Sequence, residues 1–144
     1  MQSDLCVAVH ALVYLSHTGR PQTSTVLAEN ICTTAPRVRK VLSPLAAAGM
    51  IASKEGADGG YYLLKKADSI TLRDIAEAVH IHCVSLSWES GDIDRDCIIS
   101  SGMGPEMQAI TKELDEQCMR TLAGKTIKTI ETDLEKRGYD HETV

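Results

Sequence analysis

Phenylalanine is absent from this 144-residue chain, and one tryptophan and four tyrosines are all its aromatic residues. A core without large rings must be built from Leu, Ile, Val, Ala and Met, which favours helices over a sandwich or barrel. Long apolar runs are missing as well. Leu5 to Leu15 is apolar but too short to span a bilayer, and it lacks the basic leader and cleavage site of a signal peptide. The five cysteines are odd in number and irregularly spaced, which excludes the disulfide framework of a small secreted domain. The cytoplasm is the expected compartment, with no membrane partner. Basic charge is scarce overall, with a net charge of −5, but it is uneven. Residues 1–73 hold 8 Lys or Arg against 5 Asp or Glu, whereas residues 74–144 hold 7 against 15. Phosphate would repel the acidic half, so any nucleic-acid contact is expected in the first half alone.

What is present is organised around Thr23 to Leu64. Thr23 or Ser24 can cap a short helix bearing Val26, Leu27 and Ile31 at one-turn spacing. Thr33 and Thr34 then restart the chain, and Pro36 falls in a first turn, where its missing N–H costs nothing. In the second helix Val38, Val41, Leu42 and Leu45 form the buried stripe, leaving Arg37, Arg39 and Lys40 outward near its start. Pro44 lies inside this pattern and predicts a bend or an early end. Gly49 closes the helix, and Ile51 to Lys54 and Tyr61 to Leu64 read as two strands joined by a turn with Gly59 and Gly60 at its tip. Helix, turn, helix and hairpin in this order make a winged helix-turn-helix. Arg37 and Lys40 can donate to guanine edges or phosphates, Thr33 and Thr34 to phosphate, and Lys54 with the Gly59-Gly60 tip can reach a minor groove.

Other constellations fail when tested. His80, His82 and Cys83 lack zinc-ligand spacing. Asp92, Asp94 and Asp96 alternate like the start of a calcium loop, but its glycine position holds Cys97 and its final glutamate position holds Met103. Gly124-Lys125-Thr126 imitates the end of a P-loop, yet the earlier glycine falls at Met119. No nucleophile, base and orienting acid suggest an enzyme. His10 sits among apolar neighbours as a structural histidine, and Cys32, at the turn between helices, is expected to be a small buried thiol. Thr71 to Asp74 has the form of a capping box opening a scaffold helix.

From Pro105 onward Met107, Ile110, Leu114, Cys118 and Leu122 step by three or four among charged residues. That long amphipathic helix has a stripe that the rest of the chain cannot cover, so a second subunit is its expected partner.

The motifs Val9-His10-Ala11-Leu12-Val13-Tyr14-Leu15, Leu45 to Met50, Gly59-Gly60-Tyr61 and Ile70-Thr71-Leu72-Arg73-Asp74-Ile75 resemble those of the Rrf-two family of bacterial winged-helix transcription regulators, and the likeness extends to Thr121–Ile130. The resemblance implies a homodimer on a two-fold operator of double-stranded DNA, and in some members a redox or nitric oxide sensor, several with an iron-sulfur cluster. Cluster-bearing relatives crowd three cysteines before the long helix. Here thirteen residues separate Cys83 from Cys97 and Cys118 lies within the helix, a spacing that argues against a cluster and leaves no cofactor expected. Cys97 keeps the family's position ahead of the dimer helix and could oxidise, or pair with Cys83 or with the other subunit, although Asp92, Asp94 and Asp96 are expected to raise its pKa.

The expectation is therefore a mainly α protein with a small β wing: a winged helix-turn-helix over 1–82, a loop over 83–104, a dimerisation helix and a short last helix over 105–137, and a loose tail over 138–144. Its function is expected to be that of a homodimeric, sequence-specific repressor with a thiol response. The alternative is a redox-sensing protein-interaction module that uses its winged helix for packing.

Overall fold

Helix α1 (Ser3–Thr18) places Leu5, Val7, Ala8, Ala11, Leu12, Val13 and Leu15 in the interior, and most other elements pack on it. The computed structural model describes residues 3–142, with side chains described as far as residue 138. Ala8, Ala11 and Leu12 are completely buried, and the two alanines let neighbouring helices approach closely. Against α1 pack α2 (Ser24–Ile31), α3 (Ala35–Ala47) and an antiparallel hairpin of β1 (Ile51–Lys54) and β2 (Gly60–Leu63). The strands pair Ile51 with Leu63 and Lys54 with Gly60. A bridge between Gln22 and Tyr61 fastens the segment before α2 to the hairpin. The architecture is the expected one, mainly helical with a two-stranded wing.

Helix α3 runs through Pro44, which sits in its last turn, so the proline falls where the helix is already ending. Thr71 caps α4 (Leu72–Ala78) in a reciprocal box: its hydroxyl accepts from the Asp74 N–H at 3.0 Å, and Asp74 accepts from the Thr71 N–H at 3.0 Å.

Three expectations about the second half change. The long helix α5 spans Ile98–Ala123 and starts well before Pro105. The preceding loop docks on its first turns, where Asp92 N–H donates to the Ser100 carbonyl at 3.0 Å and Glu89 accepts from Gln108. Leu122 is not free for a partner: it is 6% exposed and belongs to the chain's own core together with Ile127. Finally, α6 (Ile127–Glu142) is longer than expected, so residues 138–142 are helical rather than loose, while 143 and 144 lie outside the described residues. Helix α6 returns to α1, and its start is tied to the segment before α4 by Ile127 N–H to Ile70 carbonyl and Leu72 N–H to Lys125 carbonyl. One core thus joins the winged unit to the C-terminal helices.

Candidate nucleic-acid interface

The helix-turn-helix is fixed by its caps. Thr23, not Ser24, closes the start of α2, with its hydroxyl accepting from Val26 N–H at 3.2 Å. Cys32 ends α2 in the left-handed conformation at φ 63°, and the next N–H, of Thr33, donates to the Ala28 carbonyl at 3.0 Å. That sharp reversal turns Cys32 outward, so the thiol expected to be buried is exposed. Thr34 stands at the N-terminus of α3 with its hydroxyl uncommitted to a cap, exposed beside half-buried Thr33.

On α3 the buried stripe is the expected Val38, Val41, Leu42 and Leu45. The basic residues on the other face differ in how free they are. Arg37 is engaged: its Nη2 donates to Ser3 Oγ at 2.6 Å and to Asp4 Oδ1 at 3.1 Å, which ties α3 to the first turn of α1. Arg39 Nη1 donates to Ser24 Oγ at 3.1 Å and bridges α2 to α3 while remaining exposed. Lys40 is exposed and has no ion pair among the described residues.

The wing corrects the sequence reading most. Gly59 and Gly60 are not its tip. Gly59 is buried at the base of the turn, where a Cβ would overlap the Lys54 carbonyl. Gly60 opens β2 at φ 138°, and a Cβ there would overlap the Gln22 backbone. These glycines are needed for close backbone approach. The tip itself carries Glu55 and Asp58, both exposed, which would be repelled by phosphate. Lys54 points elsewhere: with Arg20, Lys65 and Lys66 it lines a groove of about 540 Å³ between the end of α1 and the hairpin, and no acidic side chain lines it. Sequence reasoning missed this basic groove. The adjacent Lys65-Lys66 pair was its available signal, whereas Arg20 joins it only through the packing of α1 on β2.

The family model of Rrf2, described as an iron-dependent transcriptional regulator, matches residues 1–133. The chain belongs to the Rrf2 family. Among solved structures, a putative transcriptional regulator from Lactobacillus plantarum superposes with a TM-score of 0.81 at 24% identity, covering 99% of this chain and 98% of that one. IscR of T. potens gives 0.71 at 18%, covering 95% and 89%. The oxidized form of Staphylococcus aureus CymR gives 0.66 at 20%, covering 90% and 94%. No curated protein matches in sequence. As an Rrf2 member the protein is a transcriptional regulator with a DNA-binding winged-helix fold, not an enzyme.

Iron dependence in the Rrf2 family raises the question of whether the thiols here fit an iron-sulfur cluster. Cys97 stands at the N-cap position of α5, while Cys83 and its N–H lie against Asp115, farther along the same helix. At about 1.5 Å per residue those two positions on α5 are roughly 27 Å apart. Thiolates on one cluster must stand within a few ångströms, so Cys83 and Cys97 do not share one cluster within one chain, and no disulfide joins them within a subunit.

The two thiols differ electrically. The N–H groups of Ser100 and Ile99, in the first turn of α5, hold the Cys97 thiol below its ordinary pKa. The expected upward push from Asp92, Asp94 and Asp96 does not govern; the first-turn N–H groups of α5 set the direction. Burial, then the neighbouring Cys118 and Asp115, pushes Cys83 up. His82 docks on α5 through Asp115. Its Nδ1 pairs with Asp115 Oδ2 at 2.9 Å, while Asp115 Oδ1 accepts from the N–H groups of Cys83 at 2.7 Å and Val84 at 3.0 Å.

Proposed function

We propose that this protein is a homodimeric, sequence-specific repressor of the cytoplasm that lays α3 in the major groove of a two-fold operator. The observation that carries the proposal is the free polar edge at the start of α3, where Thr34, Arg39 and Lys40 are exposed on a helix whose opposite face is core. Thr33 and Thr34 offer hydroxyls to phosphate at the helix N-terminus, and Lys40 and Arg39 donate to base edges or phosphate. Arg37 joins them on release from Asp4. Lys54 acts with Arg20, Lys65 and Lys66 as a phosphate-holding surface beside the wing, and Gly59 and Gly60 act by shaping the hairpin.

The dimer rests on α5. Of its 26 residues only Gly104 and Leu122 are buried. Ile99 at 65%, Met103 at 37%, Met107 at 39%, Ile110 at 41% and Leu114 at 50% exposure form one stripe stepping by three or four. Such a stripe on a soluble helix is covered by a partner, and a second copy of α5 supplies a matching one. Cys118 lies half-buried at its edge. Cys97 serves as the redox thiol: it is exposed, its pKa is lowered, and it sits where oxidation or a disulfide across the dimer would shift α5 and hence half-site spacing.

A second reading, a protein-interaction module that uses the winged unit for packing, is favoured by the acidic tip and by the Arg37–Asp4 pair. Binding to random duplex DNA across a salt series separates the two. The DNA-binding reading expects log K to fall against log salt with a slope of about −0.9 per phosphate neutralised, and no retention at low salt sinks it. An operator-driven reporter that is silenced by the protein supports repression, and one that is activated overturns it.

A further inference from the structure

We propose a divalent metal site at the seam of α1 and α6, formed by His17, Glu131 and Glu135 and independent of every cysteine. His17 Nδ1, in the last turn of α1, lies 3.8 Å from Glu131 Oε1 and 3.8 Å from Glu135 Oε1, and the three donor atoms fall within 4.8 Å of one another. Glu131 and Glu135 are one helical turn apart on α6, so both carboxylates project from one face towards the imidazole. Glu131 is the observation that turns a surface cluster into a site. Its side chain is 8% exposed, and Glu131 is the single charged residue in the buried set among the described residues. Ser16 Oγ donates to Glu131 Oε2 at 2.5 Å and Lys128 Nζ stands 3.7 Å from the same oxygen. Oε1, by contrast, has no hydrogen bond among the described residues and faces the gap shared with His17.

The Glu131 carboxylate has Ser16 and Lys128 on one oxygen and leaves the other open towards His17. Lys128, 55% exposed at its side chain, pairs with the oxygen already held by Ser16 and not with the one that faces His17. With Glu135 the cluster brings two carboxylates together with one ammonium, that of Lys128 at 3.7 Å from Glu131 Oε2. A cation of about 2.1 Å coordination radius would have its donors roughly 3 Å apart, so the three side chains need to close by about 1 to 2 Å. His17 and Glu135 have room to do so, with side chains 62% and 47% exposed. One imidazole and two carboxylates suit Zn²⁺, Mn²⁺ or Fe²⁺ better than an all-oxygen Mg²⁺ or Ca²⁺ site, and three protein ligands leave further positions to water. His17 must bind as the neutral tautomer with its proton on Nε2.

The site sits at the end of a largely apolar groove of about 630 Å³ between α1 and α6. A metal there would clamp the helix that supports the reading head to the helix that follows the dimer arm, so metal occupancy would set how firmly the two halves move together.

Manganese is the probe that tests the site, because thiols compete for it weakly. The metal-stripped full-length protein is titrated with Mn²⁺ by calorimetry and by loss of the free-ion electron paramagnetic resonance signal, with thermal melts and amide hydrogen exchange alongside. Wild type is expected to bind one Mn²⁺ per chain, to melt higher with metal, and to show slowed exchange at the end of α1. Glu135→Gln and His17→Ala, both at exposed side chains, should fold as wild type does yet weaken binding by about tenfold or more. Absence of binding to wild type overturns the proposal, as does equal affinity in both variants. Neither result depends on DNA recognition.

Discussion

Asp4→Asn should make this protein bind DNA more tightly. Arg37 points from α3 back to α1, with its guanidinium on Asp4 at 3.1 Å and on Ser3 at 2.6 Å. To reach DNA it must leave those partners. The side chains are 40% and 48% exposed, and ion pairs in such settings contribute about 0.2–1 kcal/mol. Asparagine keeps an oxygen for the guanidinium but removes the charge, and it also removes a carboxylate that would face phosphate. The released energy corresponds to an affinity gain of about two- to fivefold, with about one further phosphate contact appearing as a slightly steeper salt slope. The cost in folding stability should stay below about 1 kcal/mol. Fluorescence anisotropy on an operator selected from random duplexes measures the affinity, and chemical denaturation measures the stability. Arg37→Ala completes the test, with an expected loss of about 1–3 kcal/mol on the operator if Arg37 reads a base, or equal weakening on all sequences if it holds phosphate. If Asp4→Asn binds no tighter and Arg37→Ala binds like wild type, Arg37 is a strut between α1 and α3 and takes no part in recognition.

Three further outcomes are expected. Leu114→Asp, in the middle of the exposed α5 stripe, should give a folded monomer in sedimentation where wild type is a dimer; a monomeric wild type at micromolar concentration ends the dimer proposal. Cys97, with its pKa lowered, should be alkylated by iodoacetamide at neutral pH faster than Cys83, whose pKa is raised, and mild oxidant should reversibly weaken operator binding in wild type but not in Cys97→Ser; equal sensitivity in both removes Cys97 as the sensor. The Asp115 carboxyl is held below the ordinary carboxylate range by His82 first and then by the Val84 and Cys83 N–H groups, so its stabilising effect is present above its unfolded value and lost as pH falls through the lowered folded value. Asp115→Asn should therefore lower stability across neutral pH, with the difference from wild type shrinking below about pH 4; a constant difference down to pH 2 contradicts that linkage.

What could be read from the chain beforehand follows the range of the interactions involved. The Thr23 cap, the buried stripe of α3, the capping box at Thr71 and the order of helix, turn, helix and hairpin depend on neighbours within a few residues, and each was legible from spacing. Gly59 and Gly60 show where local logic fails. A glycine pair in a turn is read as a tip, yet these are fixed by contact with Lys54 and with Gln22, the latter nearly forty residues earlier in the chain. Arg37 shows the same limit for charge. Its outward position follows from helical period, but its partner Asp4 lies on another helix, and whether an outward arginine is free or occupied cannot be read from periodicity. Cys97 shows it for reactivity, since three nearby aspartates suggested a raised pKa while the first N–H groups of α5 set the opposite direction. That last reversal depended on where α5 begins. With the helix starting at Pro105 the thiol would be a loop residue among carboxylates, whereas with the helix starting at Ile98 it becomes a helix cap. The same seven residues extend the apolar stripe by Ile99 and Met103, so one boundary decides both the length of the dimer surface and the chemistry of the thiol beside it.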